Sequence, residues 1–174
     1  VKKLPRIFQQ IDNNSCYAFA LCGLLEYMSG KIFDPVRFYK EVKNRARNAP
    51  NMLTVLLMAK QFGVPLENGD RIFLKSFKRI GKYRVFDFCK TEPLLLVVDL
   101  ETGEPLQDRM DKDGIVRRRQ RGAHAVVGME TVDLILTCAN SWGKDWGKNG
   151  YFKIKPTIQK RYRPFIESAY QITI

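Results

Sequence analysis

The chain of 174 residues has one histidine and four cysteines. Cys16, Cys22, Cys89 and Cys138 form no C-x-x-C pair, which excludes a zinc ribbon and a thioredoxin-type motif. A single histidine argues against a mixed Cys/His cage, so no metal is expected. Four cysteines are also sparse for a disulfide-stapled secreted domain, which favours free thiols and a reducing compartment. No apolar run approaches the roughly 18 residues of a membrane span. The opening Val1-Lys2-Lys3-Leu4-Pro5 lacks the apolar region of a signal peptide. Internal repeats and low-complexity stretches are missing as well. Acidic residues are scarce: 18 Asp and Glu stand against 30 Lys and Arg, a net charge of +12. That excess points to polyanionic neighbours or acidic substrates without choosing among nucleic acid, membrane surface and acidic protein.

What is present is core-forming. Apolar residues make up 45% of the chain, and eleven Phe, seven Tyr and two Trp exclude global disorder. Residues 15–28 read as a helix with Asn14 or Ser15 as cap and Phe19, Leu21, Leu24, Leu25 and Met28 as its apolar side. Asp34-Pro35 signals the start of a second helix through about Asn44. Met52 to Phe62 reads as a third, stopped by Gly63 and Pro65. The pattern then changes to short apolar or β-branched runs: Leu94–Leu100, Ala125–Met129, Leu134–Ala139, Tyr151–Lys155 and Ala169–Ile174. Helices followed by strands predict an α+β architecture, with a helical lobe and a β lobe meeting at a cleft. The chain fits one domain, with about 1–90 in the helical lobe and about 91–174 in the β lobe.

Cys16 falls at the start of the first helix, where the dipole favours a thiolate. His124 lies 108 residues further on, and Asn140 follows after another 16. A thiol, an imidazole and an orienting amide are the three parts of an activated-nucleophile site. Singly, each has a plainer reading as a core cysteine, a structural histidine or a turn asparagine.

Together they resemble a known family. Gln10-Ile-Asp-Asn-Asn-Ser15-Cys16-Tyr17-Ala18-Phe19-Ala20 is similar to the Q-x-x-C-G-S-C-W-A-F-A helix of papain-like cysteine proteases. Gly122-Ala123-His124-Ala125-Val126-Val127-Gly128 resembles that family's histidine strand. Asn140-Ser-Trp142-Gly-Lys-Asp-Trp146-Gly-Lys-Asn-Gly150-Tyr151 matches N-S-W-G-x-x-W-G-x-x-G-Y at every fixed position. The resemblance runs from Pro5 to about Ile154. It implies a two-lobed fold with an antiparallel β lobe, and a monomeric peptidase acting on peptides or proteins through a thioester, without a cofactor. It implies Cys16 as nucleophile, His124 as base and then acid, and Asn140 as orienter of the ring. Gln10 would donate to the oxyanion, and Trp142 would cover the Asn140–His124 contact. Tyr17, at a position where the family has Trp, and Trp146 would border the substrate cleft.

The chain departs from the family in three places. Asn13 replaces a disulfide cysteine three residues before the nucleophile. The Cys-to-His interval of 108 is short against a usual figure of about 130. In an ungapped alignment, Ala49-Pro50 replaces a glycine pair whose last member hydrogen-bonds the substrate backbone; proline has no N–H to give. Basic clusters fall at Lys75–Arg84, Arg117–Arg121 and Lys153–Arg163. The middle one precedes His124, so Arg119 and Arg121 are candidates for a cleft rim that selects acidic side chains; the plainer reading is a solvated loop. Two other readings stand beside an active peptidase. One is a degenerate relative that binds peptides or a partner without turnover. The other is a nucleic-acid-binding protein, disfavoured because no recognition motif accompanies the charge.

Overall fold

The computed structural model describes residues 4–46, 48–99, 112–115, 123–155 and 166–174. Helix α1 (Cys16–Ser29) is apolar on nearly every side, which suits only an interior helix. It ends at Gly30, in the left-handed region at φ 69°, whose N–H returns to the Glu26 carbonyl. Helix α2 (Pro35–Arg45) opens on Pro35, with the Asp34 carboxylate accepting the Arg37 N–H. Helix α3 (Met52–Phe62) starts from Asn51, whose side chain accepts the Thr54 N–H, and stops at Gly63. The three expected helices are therefore present to within a residue or so at each end. Ser15 stands at the N-cap of α1, but its hydroxyl donates back to the Asp12 carbonyl and caps no helix N–H.

After α3 a small ribbon pairs β1 (Val64–Pro65) with β2 (Arg71–Ile72). The remaining strands are β3 (Ser76–Ile80), β4 (Leu94–Val98), β5 (His124–Val132), β6 (Ile135–Ala139), β7 (Tyr151–Ile154) and β8 (Ile166–Thr173). They form one antiparallel sheet in the order β3-β8-β4-β5-β6-β7. The expected strands are found with shifted ends. β4 stops at Val98, β5 runs from His124 to Val132, and β8 begins at Ile166.

Besides the β1–β2 ribbon, three further elements are not visible in the sequence pattern. β3 and the 3-10 turn Lys82–Arg84 occupy the segment that reads as a basic cluster, and the short helix α4 (Val85–Phe88) follows it. β3 is an edge strand, so Lys78 and Arg79 stay exposed while Ile80 is buried. Because β3 pairs with β8, the chain joins the sheet at Ser76, ahead of the lobe boundary expected near residue 90.

Every residue of β4 is buried, because the sheet is covered on both faces. Leu95 and Val97 face a core shared with α1, α2 and α3; Leu94, Leu96 and Val98 face a second core with Phe152, Ile154, Ile166 and Val85. The segment before α1 is tied down by charge. Arg6 donates to the buried Glu26 carboxylate at 2.6 Å and to the Phe33 carbonyl at 2.8 Å, and it also pairs with Glu67. Glu26 accepts the Phe33 N–H as well, so its buried charge is fully engaged.

The β5–β6 hairpin turns on Asp133 and Leu134, both left-handed, at φ 49° and 61°. A two-residue turn needs this geometry, but Asn-Gly normally provides it. A leucine there is strained, and its side chain is 57% exposed, so it recovers little by packing. Leu134→Gly is expected to raise stability by about 0.5–1 kcal/mol, the strain relieved less glycine's unfolded-state entropy. Urea unfolding of the two proteins measures it; an unchanged or lower midpoint contradicts the strain.

Candidate active site

Cys16 is the first residue of α1 and is 1% exposed. The backbone of Ala125, Tyr17 and Cys16 lies close enough to its sulfur to favour the thiolate. Ala125 follows His124, so α1 delivers the thiol to the start of β5, where His124 is fully buried. β6 pairs alongside β5 and releases Asn140 at its end. The Asn140 Oδ1 atom lies 2.6 Å from His124 Nε2 and also accepts the Ser141 N–H at 2.7 Å. The second contact fixes which end of the amide is oxygen. An oxygen facing Nε2 requires that nitrogen to carry the proton of the neutral ring. Nδ1 is then the bare, basic nitrogen, and it is buried with no hydrogen-bond partner among the described residues.

Trp142 stacks on the His124 ring at 4.2 Å between centroids and 29° between planes. Trp146 meets Trp142 edge-on at 5.1 Å and packs in turn on Phe152. This aromatic row roots the imidazole in the second core and keeps water from the His124–Asn140 bond, which strengthens it.

The strand before α1 lies across the loop that carries Asn140. Gln10 N–H donates to the Ser141 carbonyl at 2.7 Å, and Gly143 N–H to the Phe8 carbonyl at 2.9 Å. The approach is close enough that a Cβ on Gly143 would collide with Gln9 Oε1, and one on Gly150 with Ile7. Both glycines also have φ 84°, so their place in the loop is set by conformation and by space. The Gln10 side chain is held at both ends. Its Nε2 donates to the Asp12 carbonyl at 2.9 Å, and its Oε1 accepts the Ser141 hydroxyl at 2.8 Å.

Electrostatics departs from the sequence expectation of a thiolate at rest. Burial pushes the Cys16 thiol up to about 11, outweighing the nearby backbone that favours thiolate; the Asp12 charge adds to the rise. Burial also pushes His124 down to about 4, against the opposing pull of Asn140. A helix N-terminus and a nearby imidazole do not offset that much desolvation, so the resting pair is thiol and neutral imidazole.

The structure therefore brings together Cys16, His124, Asn140, Gln10 and Trp142. Tyr17 follows Cys16 on α1, half-buried, with its phenol pushed up to about 12 by burial and by Cys16 and Glu167. Trp146 packs toward the β core. Arg119, Arg121 and the rest of the 117–121 cluster lie outside the described residues. Pro50 is buried directly before the Asn51 cap of α3. All four cysteines are free and buried. Sequence reasoning assigned no role to Ser141 or Asp12, although both lie inside quoted motifs; the polar residue after Asn140 was the available signal. Among the described residues no helix is long and apolar enough to cross a membrane, and no group of three or more His, Cys, Asp or Glu is placed to hold a metal.

Comparison with known proteins bears on the fold. The structure resembles the cysteine protease CMS1MS2 of Carica candamarcensis, solved in complex with E-64, with a TM-score of 0.79 at 15% identity over 98% of this chain and 93% of that one. It also resembles a mite allergen from a structural study of Blo t 1 and Der p 1, with a TM-score of 0.72 at 17% identity over 98% of this chain and 67% of that one. The fold is thus the two-lobed α+β fold of papain-like cysteine proteases. The sequence model described as "Papain family cysteine protease" matches residues 108–172, the stretch that holds His124 and Asn140. No curated protein sequence matches the chain.

The buried neutral histidine makes stability depend on pH. Its folded value near 4 lies below the unfolded 6.5, so between these values only the unfolded chain binds the proton. Stability is then full above about pH 6.5 and falls as pH drops toward 4, by up to about 3 kcal/mol at 1.36 kcal/mol per unit. Urea midpoints at pH 7, 5.5 and 4.5 should show this fall, and His124→Gln should reduce it. Equal slopes in both proteins would show that other groups carry the acid sensitivity.

Proposed function

We propose that the protein is a cysteine-type peptidase that cleaves peptide bonds through a thioester on Cys16. The observation that carries the reading is the double acceptance by Asn140 Oδ1, which leaves His124 Nδ1 without a hydrogen-bond partner among the described residues, one residue before Ala125, whose backbone approaches the Cys16 thiol. His124 Nδ1 takes the thiol proton as the sulfur attacks the substrate carbonyl carbon, and the C=O π pair moves onto oxygen. The second Gln10 amide hydrogen and the Cys16 N–H stabilise that oxyanion. When the tetrahedral adduct collapses, the C–N bond breaks and the imidazolium proton leaves with the amine. His124 then deprotonates a water that attacks the thioester; a carboxylic acid departs and the thiol regains its proton. Asn140 orients the ring throughout, and Trp142 shields their bond. In this reading Tyr17 lies on the cleft side of the site, Trp146 supports Trp142 from the β core, and substrates are peptides or proteins.

A second reading, peptide binding without turnover, has one observation in its favour: Cys16 and His124 are both buried, and burial pushes the thiol up and the imidazole down, against an ion pair at rest. In an active enzyme of this form, proton transfer accompanies attack instead of preceding it.

Cleavage of a mixed peptide library near neutral pH, followed by mass spectrometry, tests the function. Cys16→Ala should abolish cleavage. His124→Ala is expected to lower kcat/KM by about 10²–10⁴, the usual contribution of a general base. Absence of cleavage by the wild type, with its fold intact, would establish the binding reading instead. Iodoacetamide alkylation of Cys16 is expected to climb through pH 9–11. A rate already at its plateau at pH 6 would show a resting ion pair and overturn the neutral assignment.

A further inference from the structure

The turn between Gln10 and Cys16 faces solvent at Ile11, Asn13 and Asn14, yet it holds both ends of the candidate site. Its centre is Asp12. The Asp12 carbonyl accepts Gln10 Nε2 at 2.9 Å, Ser15 N–H at 3.2 Å and Ser15 Oγ at 2.7 Å, and the Asp12 N–H donates to the same hydroxyl at 3.2 Å. One residue thus fixes the Gln10 amide and the residue preceding the nucleophile. The Asp12 carboxylate is divided between two partners. Oδ1 accepts the Asn14 N–H inside the turn, and Oδ2 accepts the Tyr39 hydroxyl at 2.9 Å. Tyr39 belongs to α2, is 2% exposed, and is packed in the core shared by helices and sheet.

We propose that Asp12 and Tyr39 are positioning residues for the oxyanion side of the site: the Tyr39 hydroxyl moors the Asp12 turn to α2, and the moored Asp12 carbonyl aims the Gln10 amide. This deepens, and rests on, the peptidase reading. The contact joins residues 27 positions apart, and among the described residues it is the side-chain hydrogen bond that ties residues 11–15 to a different helix. Packing alone cannot do this, because the turn's own side chains at 11, 13 and 14 point to water. The Gln10 carbonyl end is held separately by Ser141, so loss of the Tyr39 tether should misdirect the amide hydrogens while leaving Gln10 attached. Substrate binding elsewhere in the cleft is unaffected by that change, but the transition-state contact is weakened, so the loss falls on kcat.

Tyr39→Phe keeps the buried ring and removes only the tether. It is expected to lower kcat about 5- to 30-fold with KM within twofold. If Tyr39 acts through Gln10, the two substitutions do not add: Tyr39→Phe in a Gln10→Ala background should change kcat less than twofold. Hydrogen exchange supplies a readout independent of turnover, with the Asn14 and Ser15 amides expected to exchange at least tenfold faster in Tyr39→Phe while α3 amides keep their rates. A wild type that cleaves peptides while Tyr39→Phe leaves kcat unchanged, or adds fully to Gln10→Ala, overturns the positioning role alone. A wild type that cleaves nothing overturns the peptidase reading; the mooring of the turn is then decided by exchange, and unchanged Asn14 and Ser15 rates overturn it as well.

Discussion

The site depends on a short backbone pairing, Gln10 N–H to the Ser141 carbonyl and Gly143 N–H to the Phe8 carbonyl. Cys16 rides on a helix that begins six residues after Gln10, and Asn140 sits one residue before Ser141. These two bonds therefore set the distance between the thiol's helix and the loop that orients the imidazole. Neither lobe could do so alone. The helical core fixes α1, the sheet fixes His124, and the pairing closes the third side. Gly143 and Gly150 fit it, since a side chain there would need φ 84° and would meet the Gln9 or Ile7 side chain. The Arg6–Glu26 ion pair pins the same strand from its other end, so the segment is held at both extremes of its length.

Close packing around the site also explains its electrostatics. Water is kept out by Trp142 on one side and by α1 and β5 on the other, which makes the His124–Asn140 bond short and directional. The same exclusion penalises every charge formed there. The backbone of Ala125 and Tyr17 near the sulfur, and the helix N-terminus, reduce that penalty without cancelling it. The fold thus favours geometry over pre-formed charge. Among the described residues Nδ1 has no hydrogen-bond partner, and in the peptidase reading the Gln10 amide is held before any oxyanion forms. Such preorganisation lowers a barrier without requiring an ion pair at rest.

Legibility in the sequence followed the range of the interactions. Asn140, Trp142, Gly143 and Gly150 lie in one loop, so their spacing is itself the geometry, and the pattern could be read directly. The helices were legible through Asp34, Pro35, Asn51 and Gly63, whose signals are local. β3 was not, because an edge strand needs few apolar residues, and Lys78 and Arg79 mask its alternation. The nearness of Cys16 to His124 is a property of the fold, and no spacing reports it; the family resemblance supplied it. The Arg6–Glu26–Glu67 cluster and the Asp12–Tyr39 bond join residues 20, 61 and 27 positions apart, and nothing periodic marks them. The thiol's raised value escaped for a related reason. The helix dipole can be read from position, whereas desolvation is known only once the surrounding side chains are placed.

The same long-range contacts bear on the missing disulfide cysteine, since Asn13 stands in a turn now tied to α2 by hydrogen bonding. The two devices differ physically. A disulfide stabilises largely by restricting the unfolded chain, so it acts whether or not the core is intact. A buried hydrogen bond or ion pair exists only in the native state and contributes nothing to the unfolded one. Its strength depends on the water exclusion that packing provides. In this chain the turn before Cys16 is tied by the Asp12–Tyr39 bond to a residue of the buried core. With all four cysteines free and buried, neither the tether nor the position of Cys16 depends on an oxidised bond.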